Sequence, residues 1–339
     1  MDQLLSNILT GINSIVHSYG WSVAVFTLLI RFIIFPLDYK SRVSMRKTTK
    51  LQPEIARIQK KYAKDQDKMN QKMSELYKKE HINPLSSCLP MLISLPVLYA
   101  MFAAMRLVAN QNLVQQVFAI LQGNDPTLEG WLWVKNIFMP DSPFAACWPD
   151  LGQMRAIPTD VWTNAFSALQ GTNLLQDGAW VINETLTLTA DSFTSANLSA
   201  TIQSIYDAMC LLPHYQAATA VMPGATMNLI FTTVSVMQNF NGFFILPVLS
   251  AVSQYVMTLL TPTQQPAANT GTQSAGTGAF MKWFFPLFSL WICCSYNALF
   301  AIYWVVSNLI ALVQTWGINK YLDAKEAKQK DVEAEVSIK

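Results

Sequence analysis

The chain has 339 residues, of which 52% are hydrophobic and only 13% charged, with a mean hydropathy of +0.25. Soluble domains carry about twice that charged fraction, so a water-soluble globular enzyme is excluded and a multi-span membrane protein is indicated. The net charge of +2 hides a strong segregation: thirteen of the 23 Lys and Arg fall between Lys40 and Lys79.

Residues 4–16 place Leu4, Leu5, Ile8, Leu9, Ile12, Ile15 and Val16 at helical spacing, which predicts an amphipathic helix on the outer membrane surface over 1–19. No basic n-region or small-residue cleavage site marks a signal peptide at this start. The first of five long apolar runs follows and is assigned to a span over 20–38. Arg31 sits in its middle. A guanidinium deep in hydrocarbon costs from roughly 3 to roughly 17 kcal/mol, depending on how far water and lipid adapt. Two fates fit such a charge: it snorkels to the interface, or it faces a wetted cavity. Trp21 to Leu37 contains no acid to pair with it, which favours the cavity.

Residues 39–83 are basic, with thirteen positive side chains against Glu54, Asp65, Asp67, Glu75 and Glu80, a net of +8. Leu51, Ile55 and Ile58, then Met69, Met73, Leu76 and Tyr77, recur at three and four on either side of KDQD. That pattern predicts an antiparallel helical hairpin with a thin apolar seam, the alternative being a solvated linker. Pro53 implies a kink or a helix start. A surface this basic suits anionic lipids.

Further spans are predicted at 84–108, 242–261, 280–297 and 298–318, with a Gly/Thr/Gln-rich linker at 262–279 and a tail at 319–339. Basic flanks after the first and fifth runs put the hairpin and tail in the cytoplasm and the amino terminus outside. The 109–241 loop, with two basic residues against nine acids, then lies outside as well. It holds a Thr/Ser/Asn-rich insertion at about 151–238. The predicted fold is thus all-α: a polytopic five-helix core, a cytoplasmic hairpin and an extracytoplasmic insertion.

Catalytic chemistry is missing from the pattern. His17, His81 and His214 fall in separate regions, no nucleophile or metal motif occurs, and no metal or other cofactor is expected. The spans also lack the mid-membrane carboxylates that a proton-coupled transporter needs. Cys147 and Cys210 share the outer loop, where either a disulfide or two free thiols fits. What remains is a set of polar residues inside apolar runs: Arg31, Ser94, Gln254, Ser289, Ser307 and Asn308. Arg31, Gln254 and Asn308 lie about nine to eleven residues into their spans, hence at similar depth at roughly 1.5 Å per residue. They read as a hydrophilic groove, or as ordinary interhelical hydrogen bonding.

Several stretches resemble the YidC family of membrane protein insertases. They are LQPEIARIQKKYAKDQDKM at 51–69, NPLSSCLPMLISLPVLYAMF at 83–102, WLWVKNIFMPD at 131–141, NGFFILPVLSAVSQYVMTLLTP at 241–262 and NALFAIYWVVSNLIALVQTWGINK at 297–320. The resemblance implies a five-span core with a hydrophilic groove open to cytoplasm and lipid, in which Arg31 occupies the position of the family's groove arginine. It implies a hairpin that recruits substrate and an apolar slide on the third and fifth spans, here Phe243, Ile245, Val248, Tyr255, Leu259, Tyr303, Trp304 and Leu309. It implies nascent membrane proteins as substrates, with the Sec translocon and the ribosome as partners. The absence of a large domain before the first core span is like the Gram-positive branch, whereas the 151–238 insertion has no counterpart in its compact members. The short, charge-balanced tail predicts at most weak ribosome contact and no other nucleic-acid binding. The expected location is the bacterial cell membrane. Rival classes are a small-solute transporter or channel and an assembly scaffold for the translocon.

Overall fold

A computed structural model describes residues 2–80, 89–184, 186–228, 233–260 and 276–338. Twelve α-helices dominate the described residues: α1 (Asp2–Val16), α2 (Tyr19–Lys50), α3 (Gln52–Lys61), α4 (Gln66–Lys79), α5 (Leu89–Leu121), α6 (Leu151–Ala156), α7 (Thr159–Ser167), α8 (Leu198–Cys210), α9 (Pro213–Ala218), α10 (Ile245–Leu260), α11 (Gly276–Ser295) and α12 (Ala298–Ile338). Two antiparallel ribbons interrupt them, β1 (Trp180–Val181) with β2 (Thr187–Leu188), and β3 (Val221–Asn228) with β4 (Thr233–Met237). The described residues are mostly helical, consistent with the expected all-α class, and these two ribbons are short additions to it. β4 falls where Thr233, Val234, Ser235 and Val236 run together, residues whose side chains suit a pleated ribbon.

Among the described residues, α2 and α12 are long and apolar enough to cross a membrane, with windows of mean hydropathy 1.9 and 1.7. Helix α10 has 16 residues and so spans about 24 Å, a little under the hydrocarbon thickness of roughly 30 Å. α2 continues through Pro36 to Lys50, past the end of the apolar run. Its second half is therefore a continuous helix carrying Asp38, Arg42 and Arg46. α5 likewise extends 13 residues beyond the predicted second span to Leu121, because Leu113, Val114, Val117, Phe118 and Leu121 keep an apolar face buried.

The chain divides into two compact units. One comprises 1–24, 100–249 and 290–303. Its folded insertion has an aromatic core in which Phe118 meets Trp180 at 5.3 Å edge-on, Trp162 stacks on Phe193 at 6.0 Å, and Phe166 adjoins Phe193 at 5.0 Å. Tyr215 is buried, donates its hydroxyl to the Pro149 carbonyl at 2.8 Å, and packs by Trp148. Cys147 and Cys210 are free thiols, which settles the open alternative against a disulfide in this structure. Burial pushes the Cys147 thiol above its usual range, and Cys210 is hydrogen-bonded with Tyr206.

The segment 129–141 organises this unit. The Glu129 carboxylate accepts from the Tyr19 amide at 2.9 Å, at the start of α2. The carbonyls of Ile137 and Met139 each accept at 2.8 Å from Leu299 and Ala298, the first amides of α12. Asp141, 1% exposed, accepts from the Phe244 amide at 3.2 Å, the Leu246 amide at 2.7 Å and the Trp133 indole at 3.1 Å. A buried carboxyl group is tolerated here because these three donors satisfy its oxygens at the start of α10. Asn136 and Asn241, both wholly buried, exchange hydrogen bonds across the segment. Asn136 reaches Gln116 and the Cys147 carbonyl, and Asn241 reaches the Asn136 and Pro140 carbonyls. Gly242 is required beside this carboxylate, since a Cβ there would stand 2.0 Å from Asp141 Oδ1.

The second unit comprises 25–99, 250–289 and 304–339. In it α3 and α4 pack against each other around Ile55, Met73 and Leu76, with Leu51, Ile58, Met69 and Tyr77 at the edges. Pro53 falls in the first turn of α3, where its missing N–H costs nothing. Asp65 caps α4 by accepting from the Lys68 amide at 3.1 Å.

Two expectations follow. Asp141→Asn turns one acceptor into a donor facing buried N–H groups, and should lower unfolding stability by about 3 kcal/mol in a denaturant titration of the purified protein. Gly242→Ala should be destabilising for the separate steric reason. The Asp65 carboxyl is held below its ordinary value of 3.8, first by the Lys68 amide and then by the Lys68 side chain. A depressed folded pKa means that the cap supports α4 above the unfolded value and is lost as pH falls through the folded one. Amide exchange at Lys68 should therefore quicken on acidification below about pH 4 and be insensitive to pH in Asp65→Asn after correction for intrinsic rates.

Candidate functional site

Arg31 projects from α2 towards α12 within the second unit. Its Nε and Nη2 both donate to Ser307 Oγ, at 3.2 and 2.5 Å. Asp38 lies two helical turns along α2, and its carboxylate stands 4.0 Å from Arg31 Nη1. The sequence expectation of an Arg without an acidic neighbour is thus corrected: the partner sits at i+7, just outside the apolar run. At 4.0 Å the contact is an ion pair without a hydrogen bond. The guanidinium has five N–H donors and is about a quarter exposed, so its charge is steadied but open to further acceptors.

A chain of small polar groups continues from this pair. Asn308, next to Ser307, donates to Ser253 Oγ on α10 at 3.1 Å, and Ser253 donates to the Ser250 carbonyl at 3.0 Å. Ser250 donates to the Ser289 carbonyl on α11 at 3.3 Å. The Ser289 hydroxyl itself is fully buried and has no protein partner among the described residues. The seam therefore joins Arg31, Ser307, Asn308 and Ser289 through Ser253 and Ser250. Gln254 is displaced from it by one residue: its described hydrogen bond is through its carbonyl, which accepts from Thr258 at 2.9 Å. Ser94 lies on α5, and its side chain is outside the described residues.

The expected apolar slide is redistributed. On α10, Ile245, Val248, Val252, Val256 and Leu259 recur at three and four and are all exposed, with Phe243 just before the helix. Tyr255 is half-buried and stacks on Trp283 at 5.3 Å. Leu309 is exposed on α12 together with Val313 and Trp316. Tyr303 is not on such a face: it is buried, with its ring 6.2 Å from Phe300. Trp304 is half-buried. A further exposed apolar stripe lies on α11, where Phe280, Trp283, Phe284, Leu287, Phe288 and Trp291 follow one another. Their spacing of three and one was readable in the sequence but indistinguishable from a lipid-facing helix. Asp38 and Ser253 were also missed, and the i+7 distance from Arg31 was the signal for the former.

Comparison with known proteins places the chain. The family described as 60Kd inner membrane protein matches residues 11–326, so the chain belongs to that family, which is the family of the YidC proteins. A Membrane protein insertase YidC from Clostridium tetani is 37% identical over 139 residues, covering 41% of this chain and 55% of that protein. One from Fusobacterium nucleatum is 41% identical over 106 residues, covering 31% and 52%. One from Anaeromyxobacter dehalogenans is 43% identical over 95 residues, covering 28% and 17%. The aligned stretches thus span about half or less of these relatives. The chain is a membrane protein of this family.

Ser307→Ala should weaken the seam measurably. A hydrogen bond to a charged group contributes about 1.5–3 kcal/mol, and partial exposure puts this one at the low end. In a double-mutant cycle, Arg31→Ala and Ser307→Ala should be non-additive by about 1 kcal/mol, and a sum of the two single effects would show that the contact contributes nothing.

Proposed function

We propose that this protein is an insertase that moves nascent membrane proteins from the cytoplasm into the bilayer without ATP. The observation that carries the reading is Arg31, fastened to Ser307 yet partly open, on a polar seam whose helices α10, α11 and α12 also present exposed apolar faces. Membership of a family whose relatives are named as insertases supports it.

In the proposed mechanism the two surfaces act on two parts of one substrate. Arg31 attracts the hydrophilic, often acidic segment that must cross, and shortens its path through low dielectric. The following apolar segment partitions along the faces carrying Val248, Leu259 and Leu309 into lipid. That transfer supplies about 0.3–0.6 kcal/mol for each central Leu, Ile, Phe or Val. Asp38 keeps the guanidinium from binding an acidic segment too tightly, so that the segment leaves as readily as it enters. The paired α3 and α4, basic on their outer surface, are suited to receive substrate or anionic lipid at the membrane surface. The core is proposed to have five spans, α2, α5, α10, α11 and α12, with the amino terminus outside and the α3–α4 pair in the cytoplasm, as the basic flanks require. The Sec translocon and the ribosome are proposed partners.

The test is reconstitution into liposomes with a short single-span substrate bearing an acidic outer segment. At an effective dielectric of about 20, a unit charge some 8 Å away is worth about 2 kcal/mol, so Arg31→Ala should slow insertion at least tenfold, while Arg31→Lys retains most of it. Equal rates for wild type and Arg31→Ala would refute the electrostatic step. Solute flux without insertion would mark a transporter or channel, and neither activity would mark a scaffold.

A further inference from the structure

Where α2 leaves its apolar run, a cavity of about 360 Å³ opens between the ends of α2 and α10 and the middle of α12, all in the second unit. Its wall is formed by Arg42, Arg46, Thr49 and Lys50 from α2, by Leu260 at the end of α10, and by Asn319 and Asp323 from α12. We propose that this cavity binds the phosphate headgroup of an anionic phospholipid.

The cations are arranged unequally. Arg46 is fully committed: it pairs with Asp323, donates to Glu326 at 2.9 Å and reaches the Asn319 carbonyl at 3.3 Å. Lys50 holds the same Glu326 at 2.8 Å, and this contact comes first among those that keep the Glu326 carboxyl below its ordinary range. Asp323 and Glu326 of α12 are thereby neutralised. Arg42 differs. It is half-buried, and among the described residues no hydrogen bond and no ion pair engages it. Asp38, one turn back on α2, attracts Arg42 through space without a hydrogen bond or close ion pair, and itself lies 4.0 Å from Arg31. A planar fork of five donors facing an open cavity suits a phosphate diester, which it can hold through two parallel hydrogen bonds. Thr49 lines the cavity with its hydroxyl already donated to the Met45 carbonyl at 2.9 Å, so Arg42 is the donor that the phosphate meets. Leu260 and Met45 give the cavity an apolar side, which fits the glycerol and first methylenes of a lipid and has no counterpart in a free phosphate ion. Basic pockets between spanning helices at the membrane surface are suited to such headgroups.

Native mass spectrometry of the full chain in detergent tests the site, with phosphatidylglycerol, phosphatidylcholine and inorganic phosphate as separate probes. Phosphatidylglycerol should be retained in preference to phosphatidylcholine. Arg42→Gln should weaken its retention about fivefold, as expected for one interfacial cation. Arg155→Gln, which removes an exposed cation of the insertion, should leave retention unchanged. Leu260→Trp should displace the lipid by filling the cavity without altering any charge, which separates binding from any folding defect of Arg42→Gln. An unchanged affinity in both Arg42→Gln and Leu260→Trp overturns the proposal, as does an equal loss in the Arg155→Gln control. Displacement of phosphatidylglycerol by low-millimolar inorganic phosphate would overturn the lipid as the occupant.

Discussion

A helix that enters a membrane begins with backbone N–H groups that no residue of its own can satisfy. One segment, 129–141, answers this for three helices. It offers Glu129 to α2, Asp141 to α10 and two carbonyls to α12. These same helices carry Arg31, Ser253, Ser307 and Asn308. The seam therefore depends on a loop that contains none of its residues. The cost is a buried polar cluster in which Asn136, Asn241, Gln116 and Asp141 must all be satisfied together. Such networks stabilise only when complete, because in a low dielectric each orphaned donor costs about as much as a good contact contributes.

The seam shows how a charge is made acceptable in hydrocarbon without being cancelled. Ser307 takes two donors of Arg31, and Asp38 supplies an opposite charge at the limit of contact. A closer carboxylate would form a bidentate pair and abolish the field on which the proposed mechanism relies. Absence of any partner would leave the guanidinium to draw α2 towards the interface. The observed geometry lies between these limits, as the role proposed for Arg31 requires. The Ser253 and Ser250 links to α12 and α11 tie the helices together by weak hydrogen bonds that water can replace.

Much of this was legible in the residues, because the membrane makes the pattern coarse. Apolar runs gave α2, α5, α10, α11 and α12, and the three-and-four spacing of Ile55, Met73 and Leu76 gave the pairing of α3 with α4. Arg31 announced itself by its setting. The illegible parts are those that depend on who lies beside whom. Tyr303 and Leu309 look alike in an apolar run, yet one is buried against Phe300 and the other is exposed. Gln254 has the depth but not the facing, and Ser253 has both. β3 and β4 form a ribbon because they pair with each other, a relation that no single window displays.

The aromatic core of the insertion has one member that does not come from the insertion. Phe118, on the extension of α5, meets Trp162, Trp180 and Phe193. The insertion is therefore not a portable module. Lifted onto another host it would expose the hole that Phe118 fills, and excised from this one it would strip the end of α5 of its cover. A graft or a deletion of these residues therefore calls for a matching change at Phe118, so the two parts must be redesigned together.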